Sequence, residues 1–427
     1  MNNSSVRRWR RIGWPAVLLA SVGWAGAQAP TVPALTYVEA VTRTLAAHPQ
    51  WRRFALELDA ADARRVLADL KPDVDLGVDA EGVLGTGSYQ GIDGPELTVS
   101  LSSVLERANK RSARVAVQER SIGLLRDEQR VEALDLLAET GRRFIVVGVA
   151  EERVRLAALA LEQADATVAL VSPRVAAARS SKIELLNAQV GQTSARLARS
   201  AAARALLAAQ VALAAQWNDP DARPTVTLDL LEMPQPAEFG VLETRLAQLP
   251  DLARFATEGA LRDAEERLAR AQAVADWRWS LGVRRYEASS DQALVLGWSV
   301  PLNGARRAAP AIREAQAKRA IVEQRAEATR LALRPVLFEQ WQWLATLRER
   351  VAAIGGEDLP RAREALEITE RGYRIGRFPY RELALAQAQL IDLQLQRLDA
   401  AAQFHLTRIE IDRLTGAQIS ILPETRP

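Results

Sequence analysis

Acidic side chains recur at every second position in the segment PDVDLGVDAEGVL, residues 72–84. Asp73, Asp75, Asp79 and Glu81 alternate with apolar residues, and Gly77 takes the remaining polar position. This period of two is typical of a strand with one wet face and one apolar face. Carboxylates that line a water-filled path attract cations. The segment therefore predicts a charged wet surface whose apolar reverse requires a partner other than water.

Residues suited to catalysis or tight metal binding are scarce. The chain has no cysteine, two histidines (His48 and His405) and one methionine after the initiator, Met233. A soft-metal site needs several such ligands close together. The sequence also lacks a recognisable nucleophile with its base and a glycine-rich phosphate loop. We therefore expect no enzyme, no cofactor and no resident metal.

The amino terminus has the layout of a secretory signal peptide. Four arginines precede the apolar run 14–22, and the small residues Ala25 and Ala27 follow it, which predicts cleavage after residue 27. Without that segment, 52 basic residues remain against 53 acidic ones, a net charge of −1. No basic excess is left to meet phosphates, so nucleic acid is not an expected partner.

The chain contains two copies of one unit. LAAHPQWRRF (45–54) returns as LAQLPDLARF (246–255), SVLERANKR (103–111) as SVPLNGARR (299–307), and ELLNAQ (184–189) as ELALAQ (382–387). The offsets are 201, 196 and 198 residues, in the same order along the chain. We expect a signal peptide at 1–27, a first repeat at 28–217, a linker at 218–237 and a second repeat at 238–427.

Each repeat predicts a helix, two strands and a long helical hairpin. The strands are expected at about 73–84 and 96–105, and at about 277–286 and 292–301; the hairpins at about 109–217 and 305–415. The last helix carries apolar residues at alternating steps of three and four, as a helix packed along its whole length requires. The predicted fold class is mainly α with a small β part.

All four strands alternate and have about the length of a tilted membrane strand, 9 to 11 residues. In the second pair, Trp277, Trp279 and Trp298 fall on the apolar face, and Arg278 and Arg284 on the polar face. A soluble half-buried hairpin fits a single pair equally well, but two equivalent pairs in an exported repeat favour membrane strands. Since such barrels begin at about eight strands, four strands need other copies: a dimer gives eight and a trimer twelve, and only the larger ring leaves a useful lumen.

Together with ERGYRIGRFPYRELALAQAQL (370–390), this organisation resembles the TolC-like outer-membrane efflux proteins over essentially the whole mature chain. ANKRSARV (108–115) is similar to the corresponding segment of the heavy-metal, cobalt-zinc-cadmium type, members. The resemblance implies a homotrimer in the outer membrane of a Gram-negative bacterium, with one 12-stranded β-barrel continued by a periplasmic α-helical barrel. It also implies two protein partners, a periplasmic adaptor (membrane fusion) protein and an inner-membrane transporter of the RND type, with outer-membrane lipid around the barrel.

The resemblance also assigns roles to particular residues. A carboxylate at the periplasmic tip corresponds to Glu382, with Glu184 at the equivalent place in the first repeat. Three copies around a narrow axis would repel one another and bias a gate, whereas a glutamate in a first helical turn is also simply favoured by the helix dipole. Tyr373, Arg374 and Gly376 correspond to the adaptor-contact tip. Asp73, Asp75, Asp79, Glu81, Arg278 and Arg284 would face the lumen, and Trp277, Trp279 and Trp298 the lipid.

The predicted function is a passive exit duct that carries substrate, metal cations or small toxic compounds, from the transporter and adaptor to the exterior. Two alternatives stay open from the sequence. One is the outer-membrane channel of a type I protein secretion system. The other is a soluble periplasmic coiled-coil scaffold in which the strands form a small surface sheet.

Overall fold

The structure is a computed structural model that describes residues 34–83, 86–87, 95–302 and 304–417. The predicted signal peptide, residues 1–27, lies outside the described residues. Within them the element order helix–helix–strand–strand–long helices occurs twice. The helices are α1 (Tyr37–Ala47), α2 (Pro49–Ala68), α3 (Lys110–Ala176), α4 (Lys182–Ala214), α5 (Phe239–Leu246), α6 (Pro250–Gln272), α7 (Gly304–Ala353), α8 (Leu359–Arg374) and α9 (Tyr380–Thr415); the strands are β1 (Val74–Glu81), β2 (Glu96–Leu105), β3 (Trp277–Tyr286) and β4 (Gln292–Ser299).

Proline divides the first helical stretch of each repeat at the same place. Pro49 is the first residue of α2 and Pro250 the first of α6, a position where the missing N–H would have no helical partner in any case. Thr36 and Glu39 form a capping box at the start of α1, and the Nδ1 atom of His48 accepts a hydrogen bond from the backbone of Gln50 at 3.3 Å. Local chemistry thus sets these helix ends.

Two long helical rods correspond to each other in the two repeats: α3 in the first, and α7 with α8 in the second. The second rod contains a π-helical turn. α3 is continuous over 67 residues, about 100 Å at 1.5 Å per residue. Its counterpart consists of α7, one π-helical turn at Ile354–Asp358, and α8. A π turn accommodates an extra residue in an α-helix. Gly355 lies in this turn, where a Cβ atom would come within 2.7 Å of the Arg397 guanidinium on α9, so the side chain of Arg397 can lie against the bare backbone.

The four strands form one antiparallel sheet in the order β1-β2-β3-β4. Its central contact, β2 with β3, joins the first repeat to the second, and β1 and β4 are the edges. Leu76, Leu101, Leu281 and Leu296 lie side by side across the sheet. β4 ends at Ser299, two residues before the predicted end at 301, and Pro301 has no N–H to continue a ladder. The sheet therefore has one continuous apolar face and two edges.

The core of the chain lies in the helical part. Its largest cluster joins α3, α7 and α9 with the linker between the repeats, through residues such as Leu134, Leu230, Leu337 and Phe404. His405 on α9 is buried there, with its Nε2 atom 3.0 Å from the Leu230 carbonyl oxygen. Burial lowers the pKa of His405, so the ring is neutral at pH 7 and Nε2–H donates. The linker is thus attached to the long helices by a specific contact.

Candidate functional site

The residues predicted to face a lumen lie on the polar side of the sheet. Asp75 pairs with Ser102 and Asp79 with Thr98 on the neighbouring strand, while Arg278 lies opposite Val104 and Ser299. Asp73 directly precedes β1. The sheet therefore brings both sets of charges to one surface, and whether that surface lines a lumen stays a prediction.

Arg284 neutralises part of this acidic surface. Its Nη1 atom lies 2.7 Å from Glu96 and 3.3 Å from Glu81, and its Nε donates to the Thr98 hydroxyl at 2.9 Å. Glu81 comes from β1 and Glu96 from β2, so one guanidinium spans three strands. Among the described residues, the unneutralised acids of the opening segment are accordingly Asp73 and Asp75, towards the helical end of β1, and Asp79, two residues from its other end.

The opposite face of the sheet is apolar and exposed in the single chain. Leu76, Leu296 and Trp298 are 69%, 73% and 59% exposed. Trp277 and Trp298 pack at 5.1 Å between ring centroids, with the Arg107 guanidinium 4.5 Å from the Trp277 ring. The tryptophans gather at the end of the sheet that adjoins the helices, as an aromatic girdle at a membrane surface would. Their predicted contact with lipid stays a prediction.

A buried ion pair connects the sheet to the helices. The Lys110 ammonium, at the start of α3, lies 2.7 Å from Asp276, which directly precedes β3, and the Lys110 side chain is 9% exposed. Asp276 also accepts a hydrogen bond from the backbone of Arg107 at 3.0 Å. Because Lys110 belongs to the first repeat and Asp276 to the second, this contact fixes the repeats against each other at the sheet boundary.

At the far end of the rods, the two helical turns are joined through Tyr373. Its side chain is 2% exposed, and its hydroxyl donates to Glu184 at 3.2 Å. The Arg174 guanidinium lies 4.8 Å from the Tyr373 ring centroid and donates to the Arg374 carbonyl oxygen at 2.7 Å. Burial raises the pKa of Tyr373, which keeps the phenol protonated as a donor. Glu184 is thus tied to the second tip.

Of the other predicted tip residues, Arg374 and Gly376 are exposed and Glu382 is half-buried. Glu382 lies in the first turn of α9 beside Arg381, at 3.4 Å, and Arg374 contacts Glu370. Gly376 has a φ of +82°, a conformation that glycine adopts without strain. The structure therefore places Glu184 and Glu382 in different surroundings, and of the predicted adaptor contacts it exposes Arg374 and Gly376 while burying the side chain of Tyr373.

Sequence reasoning missed an apolar stripe on α4. At every seventh position stand Ile183, Val190, Leu197 and Val211, with Arg204 between the last two, and Leu186 and Leu207 fall on the same side. This spacing is typical of a helix that packs along a partner helix. All six apolar residues are exposed in the single chain: Ile183, Leu186, Val190, Leu197, Leu207 and Val211.

The equivalent helix shows what such a face does when it is covered. The residues of α9 that correspond to Leu207 and Val211 are His405 and Ile409, and both are buried: His405 contacts the linker at Leu230, and Ile409 lies beside Gly141 of α3. The segment Lys182–Trp217 is also long and apolar enough to cross a membrane by length and composition, with a mean hydropathy of 1.2. The one-sided heptad spacing favours a helix–helix contact, and this spacing was the signal in the sequence that could have revealed it.

Comparison with known proteins places this geometry in a class. The solved structure of CusC, a transmembrane channel, superposes with a TM-score of 0.75 and 15% identity over 89% of this chain and 91% of CusC. The CmeC outer-membrane channel of Campylobacter jejuni gives 0.73 and 12% over 98% and 96%. No model of a known protein family matches the chain. The fold is that of the TolC-like outer-membrane channels, as predicted.

Among curated proteins, the chain is similar to the cobalt-zinc-cadmium resistance protein CzcC of Cupriavidus metallidurans, with 27% identity over 326 residues, 75% of this chain and 77% of CzcC. The chain thus has the fold of the outer-membrane channels, and its sequence is similar to that of a heavy-metal resistance protein. The proteins that the chain resembles are channels, in agreement with the prediction that it is not an enzyme.

Proposed function

We propose that three copies of the chain form the exit duct of a tripartite efflux pump that expels divalent metal cations. A periplasmic adaptor and an inner-membrane transporter would dock at the helical tips, and the transporter would supply the energy. The amphipathic four-stranded sheet with two free edges carries this proposal, because a sheet edge cannot stay unpaired in lipid. Three sheets give twelve strands, enough to enclose water.

The metal cargo is inferred from the similarity to CzcC and from the charges of the sheet. Asp75 and Asp79 would be present three times around a lumen and attract cations. Among the described residues, no group of three potential ligands could hold a metal ion. Such a surface would let a cation pass rather than retain it, as conduction requires.

Two measurements test this function. The mass of the detergent-extracted protein, from light scattering corrected for bound detergent, is expected to be three times that of the mature chain. A bacterium from which the gene is deleted is expected to become more sensitive to cobalt, zinc and cadmium salts and to recover with the plasmid-borne gene. A soluble monomer would overturn the duct, while an unchanged metal sensitivity would overturn only the cargo.

Replacing Leu197 with glutamate is expected to prevent assembly. Leu197 is 66% exposed in the single chain, so the monomer tolerates a charge there, but a neighbouring copy would bury that charge without a partner, which is costly. The same light-scattering measurement should show mainly monomer. Arg199→Glu, which adds the same side chain about 200° around the helix, should leave the trimer intact. Equal mass for wild type and Leu197→Glu would mean that α4 faces solvent.

We infer that the two tip glutamates act differently. Glu184 is held by the buried Tyr373, whereas Glu382 has a longer contact, 3.4 Å, with the exposed Arg381 and would face the axis with its two copies. Glu382→Gln is expected to reduce the preference of single channels for cations over anions, by removing three like charges from the narrowest part. Ion selectivity is read from the reversal potential in a salt gradient. Glu349→Gln, on the long α7 rod away from the tip, is the control, and an unchanged reversal potential for Glu382→Gln would leave the gate role without support.

A further inference from the structure

The contact between the two repeats inside one chain is a template for the contact between two chains. β2 of the first repeat pairs with β3 of the second. In a ring of copies, β4 of one chain meets β1 of the next chain. This contact resembles that between β2 and β3, because in both the second strand of one repeat lies beside the first strand of another. We propose that this seam is antiparallel, with Leu296 opposite Ala80 and Val300 opposite Leu76 of the neighbouring copy. The proposal rests on the oligomeric duct proposed above.

The register follows from which residues are equivalent in the two hairpins. β1 begins at Val74 and β3 at Trp277, an offset of 203 residues. Gly77 lies opposite Ser100 in the first hairpin, and Ser280 opposite Gly297 in the second. An offset of 203 maps β1 onto β3, and an offset of 197 maps β2 onto β4. With these offsets Gly77 corresponds to Ser280 and Ser100 to Gly297, so the two pairs superpose with glycine and serine exchanged.

The glycine–serine level is a real steric feature of both hairpins. A Cβ atom on Gly77 would lie 2.9 Å from the Ser100 hydroxyl, and one on Gly297 would lie 2.3 Å from the Ser280 hydroxyl. In each hairpin one residue lacks a side chain so that the facing serine fits. The sequence similarity between Ser103 and Ser299 has an offset of 196, one residue less than the structural offset of 197. These two serines are not structurally equivalent, because Ser103 lies on the same face as Trp279, whereas Ser299 lies on the same face as Arg278.

The rods support the offset of 197 independently. At the tips, Ala178 and Gly376 take the same left-handed conformation, with φ of 54° and 82°, at an offset of 198. The offset is 197 at the second strands and 198 at the tips, so the second repeat has one residue more than the first between its second strand and its tip. The π turn at Ile354–Asp358 accommodates one extra residue, so an offset of 197 before the turn becomes 198 after it.

Applying these offsets to the observed β2–β3 register gives the seam. Val99 lies opposite Val283 and Ser103 opposite Trp279, and their equivalents are Leu296 opposite Ala80 and Val300 opposite Leu76. Continued past the end of β4 at Ser299, the same alignment turns Leu105 opposite Trp277 into Leu302 opposite Val74, side chains that are 93% and 63% exposed in the single chain. On the polar face, Gly297 lies opposite Asp79 and leaves space for its carboxylate. On the apolar face, apolar residues meet apolar residues at each of these levels.

The same equivalence predicts an ion pair between chains. Lys110 at the start of α3 pairs with Asp276 before β3. The corresponding positions are the basic start of α7, Arg306 and Arg307, and Asp73 of the neighbouring copy. Both arginines are exposed in the single chain. Asp73 would therefore act as an anchor of the seam, in addition to its place beside the polar face.

Cysteine cross-linking tests the register, because the natural chain has no cysteine. Directly opposed residues in antiparallel strands have Cα atoms about 4.5–5.5 Å apart, within the range for a disulfide, whereas diagonal neighbours are about 7–8 Å apart. The expected pairs are Ala80→Cys with Leu296→Cys and Leu76→Cys with Val300→Cys. Val78→Cys combined with Leu296→Cys, or with Val300→Cys, tests a shift of two residues in either direction on the same face.

After oxidation of outer-membrane fractions, the two expected pairs should give a covalent trimer on a non-reducing gel, and the two shifted pairs should remain mainly monomeric. A trimer from one shifted pair alone would overturn the register but leave the duct. No covalent product from any pair would overturn the β4–β1 seam; light scattering of the same preparations before oxidation would then show whether the protein is still trimeric. A trimer without this seam would leave the trimeric efflux duct standing and would overturn only its closure through β4 and β1.

Discussion

The Gly282→Val chain is expected to be almost absent from the outer membrane as an assembled oligomer. Gly282 lies on β3, where an added Cβ atom would come within 2.8 Å of the Val99 carbonyl oxygen and 3.2 Å of the Ser100 Cα atom. These are backbone atoms of the paired strand β2, and they cannot move aside without breaking the ladder. Overpacking of this kind costs about 1–3 kcal/mol per site, and three copies would each carry it.

The measurement is the amount of trimer in outer-membrane fractions, by native gel and immunoblot. Gly240→Val is the matched control, because a Cβ atom at Gly240 has no atom within 4 Å. Gly282→Ala should have an intermediate effect, since it adds only the Cβ atom. Wild-type amounts of Gly282→Val trimer would mean that β2 and β3 do not approach each other as closely as the structure shows, and the template for the seam would be lost with them.

Tyr373→Ala is expected to open the tips of the assembled duct. Tyr373 connects Glu184, Ser180 and Arg174 of the first tip to the second tip, and it packs with Val171 and Leu383 in a small cluster. Removing a buried aromatic side chain costs about 3–5 kcal/mol, more than this small cluster can replace. The second tip should then separate from the first, and the conductance of reconstituted channels should rise.

Tyr373→Phe separates packing from hydrogen bonding. It keeps the ring and the contact with Arg174 but removes the bond to Glu184, a loss of about 0.5–1.5 kcal/mol. Its conductance should lie between those of wild type and Tyr373→Ala, while all three chains should reach the outer membrane in equal amounts. If Tyr373→Ala conducted as wild type does, this cluster would not restrict the opening at the tip.

Much of the architecture was predictable because its signals are local. Alternation of polar and apolar residues revealed all four strands, since a strand turns every second side chain to the same face. Pro49 and Pro250 stand at the observed helix starts, since proline fits a first helical turn. The repeat and the segment 370–390 together led to the correct class of channel.

The candidate site was less predictable, because its contacts join distant residues. Arg284 was expected to share the polar face with the acids, but its contacts with Glu81 and Glu96 depend on the pairing of three strands. Tyr373 was assigned to an adaptor surface by its motif, and its burial against Glu184 follows from the meeting of two turns 189 residues apart. The heptad spacing of the apolar residues on α4 is visible in the sequence. That these residues are exposed in the single chain follows only from the packing of the helices.

The sequence by itself determined the element types, the twofold repeat and the division of each strand into two faces, because these depend on side-chain periods and on the backbone properties of proline and glycine. Tertiary structure alone decided the strand register, the Lys110–Asp276 ion pair and the surfaces left uncovered on β1, β4 and α4. Those features depend on which distant segments meet and at what offset. A shift of two residues keeps every face pattern intact, so only the packed structure can choose among the registers.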